Sequence, residues 1–175
     1  MARRTGKKST QERLYIAYGS NLNLPQMERR CPTAEVVGTS EIKNYELLFR
    51  GVATVEPKEG ASVPILLWKI EALDEAALDR YEVFQQFQPH LYRKEMMDVE
   101  LEGKSVSAMV YVMNDVRFLG MPLESYYKVI EEGYQTAGFD TAVLEHALER
   151  TKEMMKQEES QYHQQRFHDL DGFHL

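Results

Sequence analysis

The spacing of hydrophobic and polar positions switches along the chain between the period of a strand and the period of a helix. The first apolar run, residues 14–17, ends at Gly19, Ser20 and Asn21, which favour turns. Residues 63–70 are apolar on both faces, which is typical of a strand buried on both sides. Strand-like runs lie at residues 14–17, 36–39, 45–49, 52–55, 63–70, 92–101 and 105–113.

Helical spacing occurs in four places. Residues 25–30 follow Asn23, which can cap a helix, and Pro25 suits a first turn. Residues 74–83 carry apolar side chains at helical spacing, with Asp74 as the predicted cap. A third helix begins near Pro122 and is ended by Gly133 or Gly138, and an amphipathic helix covers 141–158.

This mixture of elements predicts an α+β protein. We expect a single domain over residues 13–158, because 175 residues can bury one sizeable core. Residues 1–12 form a basic arm for which we predict disorder, and residues 159–175 form a polar tail rich in Gln and His.

Charge separates the arm from the body of the chain. The net charge is −7, yet five of the 21 basic residues precede the first apolar run, so the body is acidic. An acidic body disfavours binding to a phosphate backbone, and we expect no nucleic-acid partner. Contact between the basic arm and nucleic acid remains the alternative to a disordered arm.

Other features bear on cofactors and location. Cys31 is the one cysteine, so no intramolecular disulfide can form, and the five histidines have no metal-ligand spacing. We predict no metal and no cofactor. The sequence contains no apolar segment suited to a signal peptide or a membrane helix, so we expect a cytoplasmic protein without a membrane partner.

The loop after the first strand is the first candidate site. A strand, the small residues Gly19, Ser20 and Asn21, and a helix start leave backbone N–H groups free for an anion or a carbonyl oxygen. An ordinary strand-to-helix turn explains the same residues, because short glycine motifs have a high false-positive rate.

Glu82 is the second candidate. It lies four residues after Leu78 and next to Tyr81, so it projects from the apolar side of its helix, where a carboxylate is costly unless it is paired or used. The alternative is a glutamate that reaches solvent at a frayed helix end. A stripe of tyrosines after Pro122 leaves a similar choice between core packing and pocket hydroxyls.

Together these positions resemble the γ-glutamylcyclotransferase family, including its AIG2-like members, over about residues 14–139. The order and spacing of the matching pieces make the resemblance specific. The pieces are Tyr18-Gly19-Ser20-Asn21-Leu22, Met27 and Arg30 with Pro32, Tyr45 with Leu47 and Phe49, Ala53-Thr54-Val55 before Pro57, Leu66-Leu67-Trp68-Lys69, Leu78-Asp79 leading to Glu82, Tyr92, Ala108 with Tyr111, and Pro122 with Tyr127, Ile130 and Gly133.

The resemblance implies a small mixed β-barrel-like sheet with surrounding helices, to which the C-terminal amphipathic helix is added. It implies that Glu82 is catalytic. The substrate-binding residues that it implies are Tyr18, Gly19, Ser20, Asn21, Leu22, Tyr92 and Tyr127. Two departures stand out: Val83 and Ile65 occupy positions where many members of the family have Gly.

The implied reaction is cyclisation of a γ-glutamyl group to 5-oxoproline, with release of an amine or amino acid. The partner is then a small γ-glutamyl molecule. Two alternatives stay open: a binding module of the same fold without turnover, and removal of a γ-glutamyl protecting group in a biosynthetic pathway. The final helix and tail also leave two roles open, closure over the pocket or formation of a homodimer.

Overall fold

The computed structural model describes residues 13–84, 91–114 and 118–171. Within these residues the chain forms one five-stranded sheet and four α-helices. The strands are β1 (Arg13–Ala17), β2 (Glu35–Phe49), β3 (Ala53–Ile70), β4 (Tyr92–Leu101) and β5 (Lys104–Met113). The helices are α1 (Leu24–Arg30), α2 (Ala72–Phe84), α3 (Glu124–Ala137) and α4 (Ala142–Asp171), and a short 3-10 turn covers Ser20–Leu22. The basic arm lies outside the described residues.

The first strand lies at the centre of the sheet, whose order is β2-β3-β1-β5-β4. It pairs antiparallel with β3 and parallel with β5, so both of its edges are occupied. Tyr15, Ile16 and Ala17 are buried as a result. The loop that follows β1 is therefore anchored to the most enclosed strand.

Strands β2 and β3 form one long hairpin, where the sequence predicted four shorter runs. The register shifts twice, once between Val36 and Gly38 and once at Asn44, whose φ is 61° and whose side-chain oxygen accepts a hydrogen bond from Gly60 N at 3.1 Å. Pro57 and Pro64 do not end β3, because β1 pairs only with residues 66–70. Both prolines lie where β3 has a partner on one side, so the missing donor costs little.

The sheet curls until its two edge strands touch through side chains. Ser40 on β2 donates a hydrogen bond to the Glu100 carbonyl on β4, and Lys43 lies 3.9 Å from the Glu100 carboxylate. Among the described residues no backbone ladder joins these two strands, so the sheet is not closed. The predicted α+β class is confirmed, with an open sheet in place of a complete barrel.

The β4–β5 hairpin is confirmed within one residue of its predicted limits. Its two-residue turn places Glu102 at a φ of 50° and Gly103 at a φ of 75°. Two successive positive φ values are the geometry of the tight hairpin turn that matches the natural twist of a sheet.

The first two helices begin where local polar side chains satisfy their backbone. Asn23 caps α1 as predicted, because its Oδ1 accepts a hydrogen bond from Gln26 N at 3.2 Å. Helix α2 begins two residues earlier than predicted. Asp74 is therefore inside the first turn, where its carboxylate accepts from Glu71 N at 3.0 Å and from the Thr33 hydroxyl at 2.6 Å. This is the reciprocal half of a capping box and not an N-cap.

The last two helices pack on different parts of the molecule. Gly138, at a φ of 74°, ends α3, while Gly133 lies buried inside it. The N-terminal part of helix α4 packs on the end of β2, where the Thr151 hydroxyl accepts a hydrogen bond from Phe49 N at 3.1 Å. It then runs on to Asp171, through most of the segment predicted as a polar tail.

The exposed part of α4 is polar. The side chains of residues 156–165 are all exposed. Among the described residues, no helix is both long enough and apolar enough to span a bilayer.

Candidate functional site

A pocket opens where the loop after β1 faces the end of α2. It has about 460 Å³ of empty space between its walls, its open mouth included. Six of its wall residues are tyrosines. The walls consist of Tyr15, Tyr18, Gly19, Ser20, Asn21, Val52, Ala53, Tyr81, Glu82, Tyr92, Tyr111 and Tyr126.

The loop forms one tight 3-10 turn. Its first internal hydrogen bond is donated by Leu22 N to the Gly19 carbonyl at 3.0 Å, and the next by Asn23 N to the Ser20 carbonyl at 3.1 Å. The N–H groups of Gly19, Ser20 and Asn21 precede these bonds, so none of the three is used inside the turn. The loop thus keeps main-chain donors at the pocket wall.

Gly19 has a negative φ of −119°. A Cβ atom built at this position would lie 3.4 Å from the Ala53 Cβ and 3.6 Å from the Tyr126 hydroxyl, both ordinary contacts. A left-handed φ therefore does not require glycine at this position. What glycine provides here is open space between two pocket residues.

Leu22 is the last residue of the 3-10 turn, and its side chain is fully buried on the side away from the pocket. Its neighbour is Gly133 of α3, where an added Cβ would come within 2.7 Å of the Leu22 Cβ and 2.9 Å of its carbonyl carbon. The absence of a side chain at Gly133 lets helix and loop touch. Leu22 therefore supports the loop from below and does not line the pocket.

Asn21 and Arg30 link the loop to the end of α2. Asn21 donates to the Tyr15 hydroxyl at 2.8 Å and accepts from the Arg30 guanidinium. That guanidinium lies over the Tyr81 ring, 3.3 Å from the centroid. The Tyr81 hydroxyl in turn lies 3.2 Å from the Ser20 hydroxyl.

Backbone groups hold three of the tyrosine hydroxyls. Tyr18 donates to the Tyr111 carbonyl at 2.7 Å, and Tyr92 donates to the Ala53 carbonyl at 3.2 Å. Ala53 N donates to the Tyr126 hydroxyl at 3.1 Å. Burial raises the pKa of Tyr18, Tyr92 and Tyr126, so all three stay neutral at physiological pH.

Glu82 brings the one carboxylate among the wall residues. The residue is half-buried, and in the part of the chain that the structure describes its carboxylate makes no hydrogen bond or ion pair. Burial raises the pKa of Glu82 to about 7, while the positive charge of Arg30 acts in the opposite direction. Near neutral pH this group can both accept and donate a proton.

The structure brings together six of the eight predicted site residues. Tyr18, Gly19, Ser20, Asn21, Glu82 and Tyr92 line the same pocket. Leu22 lies below it, as described above. Tyr127 is outside the pocket and packs against Phe49, with 6.3 Å between the two ring centroids. Its neighbour Tyr126 faces the pocket instead.

Sequence reasoning did not assign the other wall residues to the site, although Ala53 and Tyr111 belong to the pieces of the family resemblance. Tyr15 belongs to the first strand, Tyr81 precedes Glu82, and Tyr111 lies on the strand that pairs parallel with β1. Alternation along β1 and β5 could have placed Tyr15 and Tyr111 on the same face of the sheet, but nothing in the sequence pairs Tyr81 with the loop.

A group of three or more His, Cys, Asp and Glu side chains close enough to hold a metal does not occur among the residues described here. The pocket itself offers side chains and backbone groups for chemistry. It combines one proton-transfer group, main-chain donors for an anion or carbonyl oxygen, and walls built largely of tyrosine side chains. Such a site suits acid–base chemistry on a small molecule.

Comparison with known families gives one match. The model of the family described as "Gamma-glutamyl cyclotransferase, AIG2-like" matches residues 15–135. This span contains every residue that lines the pocket. No curated protein matches the chain.

Solved structures share the fold. A structure titled "Gamma-glutamyl cyclotransferase" is 24% identical with a TM-score of 0.67, covering 81% of this chain and 87% of that one. The structure of the uncharacterized human protein loc79017 is 25% identical with a TM-score of 0.65, covering 81% of this chain and 86% of that one. YkqA from Bacillus subtilis is 21% identical with a TM-score of 0.61, covering 85% of this chain and 56% of that one.

Proposed function

This chain belongs to the γ-glutamyl cyclotransferase, AIG2-like family, and on that premise we propose that it converts a γ-glutamyl amine or γ-glutamyl amino acid into 5-oxoproline. In this reaction the α-amine of the glutamyl group attacks its own side-chain carbonyl carbon. A new carbon–nitrogen bond closes the ring, the original amide bond breaks, and the attached amine leaves. The substrate supplies both nucleophile and electrophile, so the protein needs no nucleophile of its own.

Glu82 is the proposed general base and acid. It takes a proton from the substrate ammonium, which makes the amine nucleophilic, and returns a proton to the departing nitrogen. The observation that carries the proposal is the burial of this unpaired carboxyl group at the wall of the pocket, which raises the pKa of Glu82 to about 7. A glutamate in water, with a pKa near 4.3, is too weak a base to do this efficiently near neutral pH.

The loop is the proposed anchor for the substrate. The N–H groups of Gly19, Ser20 and Asn21 can hold the α-carboxylate or the oxyanion that develops on the carbonyl, where one preorganised donor is worth about 3 kcal/mol. Tyr18, Tyr92 and Tyr126 form walls that fold the substrate toward ring closure. Holding the reacting groups in this geometry can supply several kcal/mol of the rate enhancement, up to about 7–11 kcal/mol in the most favourable cases.

The test is release of 5-oxoproline from a panel of γ-glutamyl compounds. We expect Glu82→Gln to reduce kcat/KM by about 10² to 10⁴-fold, because it keeps the shape of the side chain and removes the base. Glu28→Gln, an exposed change on α1, is the matched control and should leave the rate unchanged. Equal turnover by wild type and Glu82→Gln would remove Glu82 from the mechanism.

One sequence feature favours a second candidate. Val83 follows Glu82 where many members of the family have Gly, and a bulkier neighbour can change how the carboxylate is presented. In this case the protein binds γ-glutamyl molecules without turning them over. Binding by calorimetry with no 5-oxoproline from any compound of the panel would support this candidate. If a compound of the panel is turned over, the identity of the amine that it releases would decide whether the reaction serves deprotection in a biosynthetic pathway.

A further inference from the structure

Arg30 contacts one wall residue in the loop after β1 and another in α2, but it does not line the pocket itself. It is the last residue of α1 and is half-buried. We propose that Arg30 is a positioning residue that fixes the loop after β1 relative to the end of α2, and whose charge acts on the carboxyl group of Glu82. The part of this inference that concerns turnover rests on the proposed function, while the part that concerns Glu82 does not.

The contact with the loop runs through Asn21. Arg30 donates a hydrogen bond to the Asn21 side-chain oxygen, and the Asn21 side-chain nitrogen donates to the Tyr15 hydroxyl at 2.8 Å. The Asn21 side chain is therefore held at both its oxygen and its nitrogen. Asn21 is only 3% exposed, so loss of either partner leaves a buried polar group unsatisfied, which is costly.

The contact with α2 runs through the face of Tyr81. A guanidinium carbon 3.3 Å from the ring centroid makes a close cation–π contact, and arginine can stack flat on a ring while its N–H groups point sideways to an acceptor. Tyr81 directly precedes Glu82, so this contact fixes the backbone beside the carboxylate. Lysine could keep the charge here but not the planar stack.

Among the residues that the structure describes, no carboxylate forms an ion pair with Arg30. Within these residues its other side-chain contact is Gln26 at 3.4 Å. The groups that face Glu82 from β1, β4, β5, α3 and the loop after β1 are neutral tyrosines. They are Tyr15, Tyr18, Tyr92, Tyr111 and Tyr126. Arg30 on α1 is thus the one formal charge among the described residues that shifts the pKa of Glu82.

Burial and Arg30 therefore oppose each other at Glu82. Burial disfavours the carboxylate, and the guanidinium favours it. If Arg30 is removed, the carboxyl group should hold its proton to higher pH. A purely structural arginine would change stability without changing this titration.

The first experiment reads the titration directly and needs no turnover. Carbon-13 NMR of chains labelled at the glutamate carboxyl carbon follows Glu82, whose signal is identified by its absence in Glu82→Gln. We expect Arg30→Met to move the Glu82 midpoint to higher pH. Arg29→Met is the matched control, because Arg29 is its exposed neighbour in the same last turn of α1. A folded Arg30→Met chain with the wild-type midpoint overturns the electrostatic part of the proposal.

The second experiment separates charge from geometry. Arg30→Lys should restore the Glu82 midpoint toward wild type, yet the loop and α2 should remain poorly aligned. In an active protein we expect kcat/KM for both variants to fall by at least tenfold, since misplacement of about 1 Å can cost up to 100-fold. The acidic limb of the pH profile should move to higher pH in Arg30→Met alone. Full activity in Arg30→Lys would overturn the positioning part.

The outcomes distinguish this inference from the proposed function. If wild type releases no 5-oxoproline but the Glu82 midpoint still shifts in Arg30→Met, the proposed function fails and the electrostatic part of the inference stands. In that case the positioning part is read from a crystal structure of Arg30→Lys. Unchanged positions of Asn21 and Tyr81 in that structure would overturn it. If Arg30→Met does not fold, Arg30→Gln supplies the neutral variant.

Discussion

Gly133 is the position where a single methyl group should disturb the pocket from outside it. In Gly133→Ala the new Cβ would lie 2.7 Å from the Leu22 Cβ, 2.9 Å from the Leu22 carbonyl carbon and 3.1 Å from Asn23 N. Two of these three atoms are backbone, so a side-chain rotation cannot relieve the clash. Either α3 or the loop must move by roughly half an ångström or more to reach ordinary contact distance.

Two effects of opposite sign decide the magnitude. Alanine improves the helix by about 1 kcal/mol relative to glycine. Overpacking of a well-packed site costs about 1–3 kcal/mol. Because the contact here is against backbone, we take the upper part of that range and expect a net loss of about 1–2 kcal/mol. For a chain of this size each kcal/mol lowers Tm by about 2–4 °C.

A second glycine gives a matched control. In Gly38→Ala the new Cβ would meet the Leu101 Cδ1, also at 2.7 Å, but that atom is the far end of a flexible side chain. Gly38→Ala should therefore cost less than Gly133→Ala, although the shortest contact is the same. Urea unfolding of both variants measures the difference, and calorimetry with a γ-glutamyl analogue reports any change in the loop. A Gly133→Ala chain as stable as Gly38→Ala would refute the rigid contact between α3 and the loop.

Three further predictions concern stability. Because the folded pKa of Glu82 is about 7 and lies above its ordinary value, folding favours the protonated form. Wild type should lose stability as pH rises from about 4.5 through 7, and Glu82→Gln should be more stable than wild type by up to about 3 kcal/mol at pH 8 but not at pH 4, by chemical denaturation. Asn23→Ala removes the acceptor for Gln26 N and should cost about 1–2 kcal/mol in urea, whereas Asn23→Asp keeps that acceptor but sets a carboxylate where Nδ2 donates to the Val129 carbonyl and the Glu132 carboxylate, and should cost at least as much. Thr151→Val leaves buried Phe49 N without its acceptor and should lower stability by about 1–3 kcal/mol in thermal melts, while Thr151→Ser should retain most of it.

Elements defined by local chemistry were predictable from the sequence. The cap at Asn23, the hairpin turn at Gly103 and the end of α3 at Gly138 each depend on residues within a few positions. The continuity of β2 and β3 was not predictable in this way. It depends on how far β1 extends along β3, and hence on which prolines have a neighbouring strand on both sides.

In the site, too, features set by nearby residues were predictable and features set by distant contacts were not. The apolar side of α2 and the family resemblance together singled out Glu82, because a carboxylate there is costly unless used. Tyr126 and Tyr127 could not be told apart, since successive helical residues differ by about 100° in direction and the sequence does not fix the rotation of α3. The contact between Arg30 and Tyr81 joins two helices far apart in the chain, so no local pattern reveals it.

The central position of β1 has a consequence for the order of folding. The strand that carries the pocket loop is among the first described residues of the chain, but its two neighbours are β3 and β5. During synthesis β1 cannot gain its second partner until the β5 hairpin has left the ribosome, and contacts of such high sequence separation form slowly. A ligand that recognises the finished pocket would therefore serve as a reporter of late folding, silent on any nascent chain that ends before Tyr126, the last wall residue in the sequence.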